Sequence, residues 1–188
     1  MNTESFDISG LLQRVQNYVL DDPSSPSPFS RRLASDNGWT HEYALRALEE
    51  YKRFTFLSVV AGHPVTPSDE VDQAWHLHMI YTEEYWGNFC PNILGRPLHH
   101  GPSKGGRKES DKFEDWYAKT KSSYERFFHH PPPADIWPSH EIRFKREFMR
   151  VDVREHVIIR KEDFPVISSL AVLMLETITR LTKRKAHR

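Results

Sequence analysis

Four of the chain's eleven histidines fall in two short clusters, Trp75-His-Leu-His78 and His99-His100. Histidine titrates near neutrality and, as a neutral base, ligates transition metals. The two clusters, joined by a segment carrying Tyr81, Tyr85, Trp86 and Phe89, are therefore where chemistry is expected. On an α-helix successive residues turn by about 100°. Asp72 and His76 then share a face with Asp69, Met79 and Glu83, whereas His78 lies about 200° from His76 with Val71, Trp75, Thr82 and Tyr85. The two cannot chelate one ion from an unbroken helix, so a site has to pair one of them with His99 or His100.

The expected ligand set is His76, His99 and His100. Asp72 would accept a hydrogen bond from His76 Nδ1 and orient the ring, and His78 would be a further ligand or a support behind the others. Two or three imidazole nitrogens with a carboxylate suit a divalent transition metal, zinc or copper, and hydrolytic chemistry. The same Asp–His pair without a metal is a general base. A third use needs no reaction: His76 or His78 could donate to backbone carbonyls of the Pro/Gly-rich stretch 91–106 and pin it in place. The residues alone leave the three uses open.

Other candidates are weaker. Cys90, beside Pro91, has no nucleophile motif around it and reads as a small buried apolar residue. Gly105-Gly-Arg-Lys108 can offer backbone amides to an anion but lacks the Walker spacing. His129-His130 reads as a polar pair beside prolines. With one cysteine the chain has no internal disulfide and no cysteine-based zinc site. Together with an N-terminus lacking a basic then apolar leader pattern, this gives a cytoplasmic expectation.

The elements that must position these residues are helical. Apolar residues recur at helical spacing over 5–20 (Ile8, Leu11, Leu12, Val15, Tyr18, Val19), and a proline-rich linker, 21–28, follows. A short helix over 29–37 closes on Gly38. Thr40 caps a helix to about residue 60, which Gly62 and Pro64 end. Ser68 caps the helix bearing Trp-His-Leu-His, with Asp69 and Glu70 at the positive end of its dipole, and that helix is expected to run to about Phe89. Residues 91–106 read as a structured loop packed down by Leu94 and Leu98, 109–128 as a helix stopped at His129, and 135–138 as a segment whose Ile136 and Trp137 fold back on the core. Beyond, 139–149 reads as helix, 151–159 as a strand, and 164–181 as an amphipathic helix with a basic end.

At 188 residues, 38% hydrophobic and 28% charged, the chain can bury one core. Zero net charge conceals a dipolar distribution: residues 1–95 carry 6 Lys/Arg against 13 Asp/Glu, and 96–188 carry 20 against 13. A nucleic-acid interface has only this charge behind it and is not expected. The apolar part of 164–181 is far shorter than a membrane span needs. A non-enzymatic alternative remains, in which the histidines are structural and 164–188 docks a protein partner or an anionic membrane surface.

Arg32-Leu-Ala-Ser-Asp-Asn-Gly-Trp39, Glu50-Tyr-Lys-Arg-Phe54, Pro67 through His78, Tyr81-Thr-Glu-Glu-Tyr-Trp86, Leu98-His-His-Gly-Pro102 and Asp135-Ile-Trp-Pro138 occur in this order. In them the chain resembles the bacterial branch of the glycine-rich domain-containing protein-like family, over about residues 29–138. The resemblance implies that Asp72, Trp75, His76, His78, His99 and His100 belong to one unit and implies no activity. The fold expected is all-α: a compact bundle of about five helices over 29–138, preceded by a helix and linker (1–28) and followed by a mixed extension (139–188).

Overall fold

The computed structural model describes residues 7–101, 105–146, 151–152 and 154–155, and these are α-helical without a strand among them. The chain divides into two compact units, Met1–Arg146 and Glu147–Arg188. In the first, α1 (Ile8–Asn17), α2 (Phe29–Asn37), α3 (His41–Val60), α4 (Asp69–Ile80) and a single turn, α5 (Thr82–Glu84), lead into a π-helix, Tyr85–Leu94. Then come α6 (Arg107–Phe128) and the short α7 (His140–Lys145). The expected strand over 151–159 falls largely outside the described residues, and the helix over 164–181 and the docking segment 164–188 fall entirely outside them.

Local chemistry sets most of the boundaries. Thr40 Oγ1 accepts from the Tyr43 amide and Ser68 Oγ from the Val71 amide, each at 3.2 Å, satisfying first-turn donors that have no intrahelical partner. Gly38 closes α2 in the left-handed region at φ 66°, where a Cβ is disfavoured.

The long helix α3 packs against α1, α2, α4 and α6. It supplies Tyr51, Phe54, Phe56 and Leu57 to the core, which Leu11, Val15, Leu33, Val71, Ala74, Tyr117, Tyr124, Ile136 and Trp137 complete. The N-terminal helix is thus a wall of the same core. Glu50, buried on α3, ties this assembly together: it accepts from Arg53 (2.5 Å), Tyr124 Oη (3.2 Å) and Trp137 Nε1 (2.9 Å). On α7, Arg143 pairs with Asp69 and Arg146 with Glu70 (2.7 Å), fastening that helix to the first turn of α4.

One expected element differs. The helix carrying the histidines does not run to Phe89; it ends at Ile80, turns at Tyr81 (ψ 64°), and resumes as a π-helix through Pro91 to Leu94, a stretch expected to be partly loop. Proline in an α-helix collides with the carbonyl four residues earlier, and a wider turn relieves that contact. The wider turn also suits the buried set. Tyr85, Phe89, Cys90 and Leu94 are buried, and at about 4.4 residues per turn they share one side. At 100° per residue Leu94 would point opposite Tyr85.

Candidate metal centre

The turn of α4 separates the two histidines of Trp-His-Leu-His as helical geometry requires. The His76 side chain is 47% exposed and that of His78 only 1%. They enter different environments.

His76 faces the loop that follows the π-helix and meets His100 there, with Nε2 to Nε2 at 3.0 Å. Asp72, one turn earlier on the same face of α4, lies 2.9 Å from His100 Nε2 through Oδ1 and 3.7 Å from His76 Nε2 through Oδ2. Asp72 therefore does not stand behind His76 on its Nδ1, the orienting role expected for it. An i, i+4 neighbour reaches the same edge of the ring that faces the loop, so the carboxylate stands beside the two nitrogens and converges with them.

One ligand atom from each of Asp72, His76 and His100 lies within 4.8 Å of the other two, a spread that a small closing movement would bring to the separation of about 3.3 Å between ligands of a tetrahedral ion held at 2.0–2.1 Å. Asp72 and His100 are partly buried, and His76 leaves one side open to solvent.

His99 takes another direction. Its ring lies 5.2 Å from that of Trp86, away from the convergent trio. His78 is enclosed by Phe29, Tyr51, Tyr85 and Phe89. Its Nδ1 accepts from Tyr51 Oη at 2.8 Å, and its Nε2 donates to Glu84 Oε2 at 2.6 Å, which fixes the Nε2–H tautomer. Tyr18 Oη lies 3.3 Å from the same Nε2. One imidazole so joins α3, α4, α5 and the end of α1. Burial pushes the His78 imidazole below its usual range, outweighing the carboxylate beside it. Burial alone would raise Glu84, but hydrogen bonds from Tyr18, His78 and Asn88 bring it below the usual carboxylate range.

The loop histidine is held by Trp75 and Tyr85, which the sequence placed near the histidines without giving either a role. Trp75 Nε1 donates to Tyr85 Oη at 2.8 Å, Tyr85 Oη donates to the Leu98 carbonyl at 2.6 Å, and the Trp75 ring packs 4.5 Å from that of His100. The shared helical stripe of Trp75, His78 and Tyr85 was a signal for these. Tyr18 and Tyr51, far away in the chain, gave none.

Residues 29–117 match the model of the UCP032817-like family. Over 126 residues the chain is 21% identical to glycine-rich domain-containing protein 1 of Arabidopsis thaliana, an alignment covering 64% of this chain and 15% of that protein. No solved structure matches the chain. Asp72, His76, His78, His99 and His100 all lie between residues 29 and 117, so the candidate centre sits within the stretch that is similar to the UCP032817-like family.

Proposed function

We propose that the chain, read as a bacterial-branch relative of that family, binds one divalent transition metal through Asp72, His76 and His100. The observation that carries the reading is the convergence of two imidazoles and a carboxylate, each offering a ligand atom within 4.8 Å of the other two. Two ligands come from one rigid helix face and the third from a loop, and the exposed side of His76 leaves room for a water or substrate ligand. Two nitrogens and a carboxylate suit zinc or copper, and the same donor set holds non-haem iron. A bound ion with an open position lowers the pKa of its water toward neutrality, which makes hydrolysis the reaction class this arrangement supports. His78 contributes to the fold, not to the ligand set.

Protein purified without a histidine tag, incubated with Zn²⁺, Co²⁺ or Cu²⁺ and desalted, is expected to retain one ion per chain by elemental analysis. Trp75, against His100, is expected to report Cu²⁺ binding as fluorescence quenching. His76→Ala and His100→Ala should each abolish retention, whereas His99→Ala should not. Absence of retained metal in the unaltered protein, with no quenching, would refute the reading.

A further inference from the structure

We infer that Tyr85 is a positioning residue for His100, acting through the Leu98 carbonyl, with Trp75 as its partner; the inference rests on the metal reading above. Asp72 and His76 need no such help, because α4 presents both on one face. His100 is different: it lies in a stretch without regular structure, between Pro97 and Gly101.

Two buried side chains supply what the loop lacks. Tyr85 is fully buried and Trp75 nearly so, and their hydrogen bonds run in one direction. The indole N–H can only donate, so it occupies a lone pair of Tyr85 Oη and commits the phenolic proton to the Leu98 carbonyl. That carbonyl is two residues before His100. The Trp75 ring then limits the His100 imidazole from the side. Backbone and ring of the loop ligand are fixed by the same pair, as metal-bound histidines are commonly fixed by groups behind them.

The test is Co²⁺ titration of the full chain, read in the visible ligand-field bands, for the unaltered protein, Tyr85→Phe and Trp75→Phe. Tyr85→Phe is expected to weaken Co²⁺ binding about 10- to 100-fold and to change the intensity and position of the bands, with the far-ultraviolet dichroism retained. A purely structural role would leave both the dissociation constant and the bands unchanged in a folded variant. Trp75→Phe, which keeps the Tyr85–Leu98 bond but frees its direction and trims the indole, is expected to show a smaller change of the same kind, and decides the matter should Tyr85→Phe not fold. Binding and bands identical to the unaltered protein in the folded variants overturn the positioning role while leaving the metal reading intact. No Co²⁺ binding by the unaltered protein overturns the metal reading itself.

Discussion

His78 carries its own consequence, separate from any ion. Its folded-state pKa is depressed, so the unfolded chain binds that proton more readily than the folded one. Stability from this group is fully present above the unfolded value of about 6.5 and is lost as pH falls from there toward the lower folded value. Glu84, also depressed, contributes stability above its unfolded value that is lost as pH falls through its folded pKa. Urea midpoints of the unaltered protein should therefore fall between pH 7 and 5. His78→Phe should cost about 1–3 kcal/mol at pH 7, because the buried Tyr51 hydroxyl loses its acceptor, and should flatten the slope in that window. Equal slopes for the two proteins would show that His78 does not titrate on unfolding. The placement of His76 and His78 on opposite faces of α4 was legible in the sequence, because it depends only on the turn per residue. The different surroundings of His99 and His100 were not, because they are set by Trp86 beside one and Trp75 beside the other, and neither contact is local.

Among the helices, Glu50 binds α3 to α6 and to the 136–138 segment more tightly than any exposed pair can. Glu50→Ala would strand the buried Trp137 indole N–H, while the part-exposed Arg53 keeps Tyr124 Oη, a loss of about 1–3 kcal/mol. The exposed Glu49, paired with Lys52 at 2.9 Å, should cost no more than about 1 kcal/mol when changed to Ala. Chemical denaturation of the two variants, one residue apart, checks the difference. Equal losses would remove Glu50 from its role as a tie. Helix ends set by single side chains, such as Thr40, Ser68 and Gly38, could be read directly. The π-helix could not, since an α-periodic reading stops at Pro91; the spacing of Tyr85, Phe89, Cys90 and Leu94 was the trace it left.

On the scale of the molecule, the family match begins at residue 29, yet the core does not. Leu11 and Val15 are buried, the Tyr18 ring packs tilted against that of Phe89 with centroids 4.9 Å apart, and Arg14 Nε donates to the Ile93 carbonyl. Removing residues 1–27 is therefore expected to lower stability by several kcal/mol, at about 1.5–3 kcal/mol for each fully buried aliphatic or aromatic side chain, and to expose the His78 cage to solvent. An unchanged denaturation midpoint would contradict this. Asp72 and His76 stand 28 and 24 residues before His100 in the chain, so an ion held by all three would act as a reversible cross-link across the π-helix. Its contribution would then obey mass action: melting temperature would climb with the logarithm of free metal, reaching about 2.7 kcal/mol of added stability at a hundredfold excess over the dissociation constant. The His100→Ala protein should show no such climb, and the melting curve becomes a measure of affinity.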